Sequence, residues 1–600
     1  MRLRYLHLQN YPPIADIKVC FASGSPLARE CAIRFVVGVN GSGKSNLLRA
    51  VAEVFLALAD LRVPAFPVSL VYELGARGTT SHRTLLLHCP GNRQQASLWL
   101  HEKYTFPDDT DQQMFDLAID HLRQRDTPTV PGFAPLIAPG YWPQRDSSPP
   151  QIALPSAVLA YTTGDLRPWR SVWNRNQRAD GLLDGGDDTL SDERPSGWTV
   201  AQEVALQAAR EAGGDTPRLS TNTGNTKADS FRRPVLLDPT LLKCALLAVA
   251  LPQAFVEATD YPPRADADAA MAQLRQRDDN KSALQELLER GGWHSLISVA
   301  FRSCLQTYQW DQKLCETAHD WWLCASEVLS EPHPVDVRRT LIFDLKGAFD
   351  AQGPSFLSAA RHELQTCTSQ GEALWVLLGG AEDASAFDLF IRLLELNQAG
   401  LFTDVLLRLR RAPVAARDEA ISANDVGVLR YEELSDGEQM VLGRMALFHL
   451  LQGQQDALLL LDEPETHFND KWKREIVDII DDAIGQTSND VLISTHSAIV
   501  LSDVFNNEIV MVQKTQGGST VRTVDEPTFA TDPGALMMTV FGADDSIGKR
   551  AQEFIEGKLR QATGTPEEVA DLELLIARMG SGFYRSELRT LINTWRDGNA

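Results

Sequence analysis

The octapeptide Gly38-Val39-Asn40-Gly41-Ser42-Gly43-Lys44-Ser45 has the residue types to hold a phosphate. Its glycines let a loop wrap an anion with backbone N–H groups pointing inward, and a following helix N-terminus adds a favourable dipole. At this spacing Lys44 reaches β- and γ-phosphates, and Ser45 ligates Mg²⁺. A second cluster closes the apolar run 457–461 with Asp462-Glu463-Pro464. That pattern describes a buried parallel strand delivering carboxylates to its C-terminal edge, where ligands bind in α/β sheets. Asp462 there serves a metal shell, and Glu463 orients and deprotonates a water. Two further signals are weaker alone. In Leu434-Ser435-Asp436-Gly437-Glu438-Gln439, Ser435 and Glu438 have capping-box spacing, which starts any helix. A capped helix N-terminus is also an anion site, so the two readings are compatible. The run 491–495 ends in His496, like a buried strand presenting one polar side chain.

The elements that must position these residues follow from periodicity. Alternating runs at 2–8, 33–39, 69–74, 84–88 and 96–101 predict strands, and helical spacing covers 45–61. The stretch from 164 to about 229 is rich in Gly, Asp, Asn and Arg and reads as a long mobile surface insertion with a short helix near 199–212. Spacing near 3.6 at 239–258, 281–290, 293–308, 311–330, 355–369 and 383–396 predicts a helical bundle broken by prolines and Gly291-Gly292. The expected fold is α/β: lobe one at 1–165, an insertion at 166–424 (loop 166–235, bundle 236–424), lobe two at 425–525, and a helical tail at 526–600. The two lobes are expected to share one sheet.

Composition narrows the class. The 600 residues carry 57 Lys and Arg against 80 Asp and Glu, a formal charge of −23, which argues against coating nucleic acid by bulk charge and leaves a local basic groove open. With 44% hydrophobic and 23% charged residues the chain is globular. The longest apolar run, 244–251, is too short to span a membrane, and the first residues lack the pattern of a signal peptide. A cytoplasmic location with no membrane partner is expected. Eight cysteines form no CxxC pair; Cys304, Cys315 and Cys324 with His294 and His319 have poor metal spacing, and reduced thiols are the plainer reading.

The order of the glycine loop, LSDGEQ, LLLLDEP and ISTHS resembles ABC-type ATPases, and within them the SMC/RecF-like branch. ELSDGEQ, LLDEPETHFND and ISTHSAIVLSDV are similar to ATPases of bacterial anti-phage systems: the Septu ATPase subunit, its retron-associated relatives and ATPases found beside restriction systems. The specific resemblance covers about residues 30–60 and 425–505. It implies a two-lobed ABC/SMC-like head with a largely helical insertion and a helical C-terminal tail. It also implies that ATP with Mg²⁺ lies between two heads of a homodimer or higher oligomer. Gly38, Asn40, Gly41, Ser42, Gly43, Lys44, Ser45 and Asn46 of one head would then face Ser435, Gly437 and Glu438 of the other. Ser45 and Asp462 would hold the metal, with Glu463 and His496 as catalytic base and switch histidine. Asn469 stands where the D-loop usually has Asp, and the Q-loop falls near Thr162-Thr163-Gly164.

In such systems a neighbouring effector is the expected partner. After His496 no strand-borne acidic cluster or HNH-like grouping is evident (Asp525-Glu526 and Asp544-Asp545 make neither), so nuclease chemistry is assigned to that partner. Nucleic acid is a further candidate partner through Arg232-Arg233, Arg338-Arg339, Arg408 with Arg410-Arg411, or the Lys549-to-Arg560 set, each equally a solvated face. A RecF-like repair ATPase and a nucleotide-locked scaffold with little turnover are the alternative functions.

Overall fold

The computed structural model describes residues 1–21, 29–102, 112–123, 132–142, 152–177, 233–256, 293–304, 312–332, 337–349, 356–357, 361–381, 384–411, 428–515, 518–543, 547–561, 563–580 and 582–598. The chain divides into two units, Met1–His496 with Asn507–Thr523, and Ser497–Asn506 with Val524–Ala600.

A seven-stranded sheet organises the first unit. Its order is Gly518–Arg522, Ile509–Thr515, Ala32–Val37, Asp490–Thr495, Ala457–Asp462, Ala157–Thr162, Val235–Leu237. Every pairing is parallel except the Gly518–Arg522 hairpin. The central strands are buried along their length, as parallel strands covered on both faces must be, and they accordingly read as unbroken apolar runs. Strands from both predicted lobes join here. Register sets Asp462 beside Thr162 on one side and Ser494 on the other, so the sheet gathers polar side chains at one edge.

Packed against it is an antiparallel sheet in the order Ile14–Cys20, Arg2–Tyr11, Val68–Leu74, Arg83–Cys89, Ser97–Glu102, Ala134–Ile137. The helix Lys44–Ala59 shares one core with both sheets: Leu47, Val51 and Phe55 lie with Leu6, Leu70, Leu85, Leu458 and Leu492. Burial of that apolar face, at roughly 1.5–3 kcal/mol per large side chain, fixes the helix over the sheet edge. The first and last strands of this sheet and the helix Gln112–Arg123 were not anticipated from the sequence.

The middle of the chain departs from a helical bundle. Helices occur at Pro239–Val256, Gln312–Cys324, Arg361–Thr366, Gln370–Leu377 and Ala386–Gln398, so helical content is substantial. They accompany a five-stranded antiparallel sheet in the order Glu327–Pro332, Val337–Asp344, Trp293–Cys304, Asp404–Arg411, Val428–Arg430. Trp293–Cys304, expected as a helix, is a strand. A register irregularity between Leu296 and Ser298 places the buried Leu296 and Val299 three residues apart, which mimics helical spacing. Phe301, Trp321, Phe343 and Phe402 form the aromatic centre, with ring centroids 4.6–6.3 Å apart. Pro252, read as an interruption, lies inside its helix.

The loop expectation for 166–235 is also corrected at its ends. Leu166–Gln177 is a helix, and Val235–Leu237 pairs with Ala157–Thr162. The short helices expected near 199–212 and 281–290 lie outside the described residues. In the second unit the helices Lys549–Gln561, Pro566–Arg578 and Phe583–Gly598 bury Ile555, Leu572, Ile576, Leu588 and Ile592. Among the described residues no helix is long and apolar enough to cross a membrane, and no group of three His, Cys, Asp or Glu is placed to hold a metal.

Candidate nucleotide site

The strand Ala32–Val37 ends at Gly38, where a Cβ would stand 2.2 Å from the Val512 carbonyl oxygen and 2.7 Å from Ser42 Oγ. Only glycine allows the loop to pass so close to the neighbouring strand. Gly43 precedes the helix in a left-handed conformation (φ 104°), and no side chain caps that helix N-terminus. Its first-turn N–H groups lack intrahelical partners and are anion donors by construction. The Ser42 hydroxyl is buried with no hydrogen-bond partner among the described residues, an orphaned polar atom inside the loop. Ser519 Oγ donates to the Ser42 carbonyl at 2.5 Å, tying the loop to the Gly518–Arg522 hairpin. Asn40 is exposed, and the Asn46 amide oxygen accepts from Arg49.

The Lys44 ammonium, 6% exposed, donates to the Gly38 carbonyl at 2.8 Å and stands 3.9 Å from Glu463 Oε1. Burial lowers its pKa, opposed by Glu463, Asp462 and Glu465. Asp462, 5% exposed, accepts four bonds: Ser45 Oγ (2.8 Å) and Ser494 Oγ (2.6 Å) on Oδ1, Thr162 Oγ1 (3.1 Å) and Trp169 Nε1 (3.3 Å) on Oδ2. Glu463 has φ 52°, and its N–H donates to both the carbonyl and the hydroxyl of Ser494. Thr163 Oγ1 donates to the Glu463 carbonyl at 3.0 Å. These bonds hold a strained backbone that aims the carboxylate, whose Oε1 is 3.2 Å from His496 Nδ1. The structure therefore brings Lys44, Ser45, Asp462, Glu463 and His496 together.

Behind this cluster lie residues the motifs did not reveal. Glu465 is buried, one oxygen bonded by Thr495 Oγ1 and the other without a partner among the described residues; burial holds its pKa above the usual carboxylate range. Arg444, 1% exposed, donates to Tyr161 Oη (3.0 Å) and to the Pro464 and Thr466 carbonyls, and lies over the Tyr161 and Phe468 rings. It links the helix Asp436–Leu450, which opens within the LSDGEQ signature, to the turn after Glu463 and to the strand entering Thr162-Thr163-Gly164.

The signature occupies a different place. Ser435 caps the helix Asp436–Leu450 in a capping box: Glu438 N donates to Ser435 Oγ, and Glu438 Oε2 accepts from Ser435 N and Oγ. Ser435 is exposed, and Gly437 stands beside the His467 carbonyl with room for ordinary contact. Asn469 caps the helix Asp470–Ile484, its Oδ1 accepting from Trp472 N at 2.9 Å. Asn and Asp serve equally as N-caps, which accounts locally for the departure from Asp.

The donor set fits a nucleotide with Mg²⁺: an uncapped helix N-terminus, an orphaned hydroxyl, a lysine, and a hydroxyl–carboxylate pair of hard oxygen ligands. Residues 358–503 match the family model described as "AAA domain, putative AbiEii toxin, Type IV TA system", a segment that holds the signature, Asp462, Glu463 and His496 and lies outside the glycine loop. No curated protein matches. Solved structures similar to the chain include the SMC head domain from Pyrococcus furiosus with an extended coiled coil bound to the C-terminal domain of ScpA. That match has 12% identity, covers 87% of this chain and 96% of that one, and has a TM-score of 0.28. The SMC head domain from Thermotoga maritima is similar at 11% identity, covering 88% and 100%, with a TM-score of 0.27. The glycine loop, the Ser45–Asp462 pair and the matched AAA-domain segment together define an α/β chain with a candidate nucleotide-binding site.

Proposed function

We propose that this chain is the ATP-hydrolysing subunit of an anti-phage defence complex, in which two copies pair around ATP and the nucleotide state controls a partner effector such as an HNH nuclease. The observation that supports the pairing is the exposed, serine-capped helix tip, whose capping bonds run within its own helix and not to Lys44, Asp462 or Glu463. A tip of this kind offers backbone N–H groups and dipole to an anion outside its own chain. Lys44 exchanges the Gly38 carbonyl for phosphate oxygens, and the loop N–H groups receive the rest of the charge. A Mg²⁺ ion held by Ser45 and Asp462 would supply charge neutralisation at the β- and γ-phosphates. Glu463 takes the proton of the attacking water, and His496 orients that carboxylate. Loss of the γ-phosphate removes the charge that joins the copies, which releases the pair.

Sedimentation of wild type and Ser435→Arg, with and without ATP, tests the pairing. Wild type should dimerise with ATP, and the variant should stay monomeric with turnover at least about tenfold lower. A Ser435→Arg protein that pairs and turns over normally removes this reading. The defence assignment rests on the resemblance at ELSDGEQ, LLDEPETHFND and ISTHSAIVLSDV. Plaque counts in cells carrying the gene with its neighbours, unchanged by Lys44→Ala, would remove that part.

One observation favours a nucleic-acid contact as a second reading. Several basic candidates have local partners: Arg233 with Asp60, Arg339 over the Trp322 ring, Lys549 with Glu553, Arg560 with Glu556. Arg408, by contrast, stands directly opposite Arg430 across two strands, both exposed. Like charges placed so are destabilising by a few tenths of a kcal/mol to about 1 kcal/mol, and a phosphate between them would relieve that. Replacing both with Glu should weaken duplex binding and reduce its log–log salt slope by about 2. An unchanged slope in anisotropy titrations discards this surface.

A further inference from the structure

Lys243 interrupts a strongly apolar helix, Pro239–Val256, and is 7% exposed. A charge in that position persists only when it is paired. Its ammonium lies 2.7 Å from Asp404 Oδ1 and 3.1 Å from Glu432 Oε1. Asp404 opens a strand of the inserted sheet, and Glu432 precedes the signature serine by three residues. One buried cation thus joins an insertion helix, the insertion sheet and the lead into Ser435.

The surrounding contacts make this join mechanical. Tyr431 Oη donates to the Gln439 carbonyl at 2.5 Å, and Gln439 Nε2 donates to the Leu434 carbonyl at 3.0 Å. The lead-in and the helix tip are therefore one closed loop that moves together. Gly443 lets the signature helix approach the insertion helix, since a Cβ there would stand 3.2 Å from Tyr431 Oη and 3.4 Å from Leu242 Cβ. A cavity of about 250 Å³ lies among Thr163, Gly164, Leu242, Lys243, Glu432 and Met440. The signature helix meets the insertion at Gly443, about two turns beyond the exposed Ser435, and the cavity lies between its first turns and the Thr162-Thr163-Gly164 turn.

We propose that Lys243 is a positioning residue for ATP turnover: through Glu432 it sets the height of the Ser435 helix tip, so that whatever loads the inserted sheet changes turnover without touching the nucleotide. This rests on the pairing reading above. Lys243→Met removes the ammonium shared by Asp404 and Glu432, leaving Asp404 its longer 3.9 Å contact with Arg302, and so frees the lead-in from the insertion. Glu432→Gln reduces the same link from an ion pair to a neutral hydrogen bond while keeping the Lys243–Asp404 pair inside the insertion.

The test uses the full chain and compares wild type, Lys243→Met, Lys243→Arg, Glu432→Gln and Ser435→Arg. Affinity for a fluorescent ATP analogue, kcat, KM and ATP-dependent dimerisation are measured for each. Lys243→Met and Glu432→Gln should lower kcat about tenfold or more, weaken dimerisation, and leave nucleotide affinity within about threefold, while Lys243→Arg restores most of kcat. If Lys243→Met does not fold, Glu432→Gln decides alone. Wild-type kcat in Glu432→Gln with a defective Ser435→Arg overturns the role of Lys243 and keeps the pairing. Wild-type kcat in Ser435→Arg overturns the pairing itself. A parallel loss of nucleotide affinity in Glu432→Gln marks a merely structural link and also overturns it.

Discussion

Replacing Glu463 with Gln should lower ATP turnover by about 10²- to 10⁴-fold, the range that a positioned general base contributes. Nucleotide affinity should stay within about threefold, because the amide keeps the shape and the site gains no new cation. The bonds that aim the residue are backbone bonds: its N–H to Ser494 and its carbonyl from Thr163. They survive the substitution, so the side chain stays in place and only proton acceptance is lost. Two changes travel with it. The 3.9 Å ion pair to Lys44 disappears, which leaves that ammonium with less competition for phosphate. The partner of His496 Nδ1 becomes neutral. Both favour the bound state, so the ATP-dependent pair should accumulate and outlast that of wild type in sedimentation or crosslinking. Steady-state phosphate release and pairing lifetime therefore move in opposite directions. Equal, very slow turnover in both proteins would instead support the nucleotide-locked scaffold.

The chemistry of this site was legible from sequence because its parts are local. A glycine loop between a strand and a helix, or an apolar run ending in two carboxylates, declares itself within eight residues. The supports are not local. Thr162, Trp169 and Ser494 reach Asp462 only through the register of three parallel strands and the helix after the first; Thr162 and Ser494 lay in segments the motifs marked, but their bonds to Asp462 are not readable there, and nothing local marks Trp169. Ser519 reaches the glycine loop from a hairpin 477 residues away. Arg444 sits mid-helix among Leu442, Met445 and Phe448, where a sequence pattern offers no reason for its burial.

The insertion shows a different limit. The helices at Pro239–Val256, Gln312–Cys324 and Ala386–Gln398 followed from spacing near 3.6. The sheet between them was missed because its central strand carries an irregularity that shifts its alternation by one residue. Asp404–Arg411 does alternate cleanly, with Val405, Leu407 and Leu409 buried, but it fell inside the stretch read as a helical bundle. The order of the signature after this strand, and the closeness of Glu432 to Lys243, become meaningful only once the five strands are assembled.

Asp490→Asn should destabilise the first unit by about 3–5 kcal/mol, the usual cost of removing one charge of a buried ion pair. Asp490 is fully buried, and both its oxygens accept from Arg34 Nη1, at 2.9 and 2.7 Å, with Arg34 itself 3% exposed. The carboxylate also accepts from the Leu3 N–H at 2.5 Å. It therefore joins three strands: Asp490–Thr495, which it begins, Ala32–Val37, which leads into the glycine loop, and Arg2–Tyr11 of the antiparallel sheet. An asparagine can keep one or two of these bonds, but it leaves the Arg34 guanidinium charged in a dry environment with the Phe21 ring 5.3 Å from it. The unfolding midpoint in urea should fall, and thermal unfolding monitored at pH 7 should fall with it. The decisive comparison is the double variant Arg34→Met with Asp490→Leu, which removes both charges and fills the same volume. It should recover most of the loss, because an apolar pair has no desolvation penalty to offset. A single variant as stable as wild type would mean the pair is neutral to folding. A double variant no better than the single would place the energy in the Leu3 bond instead.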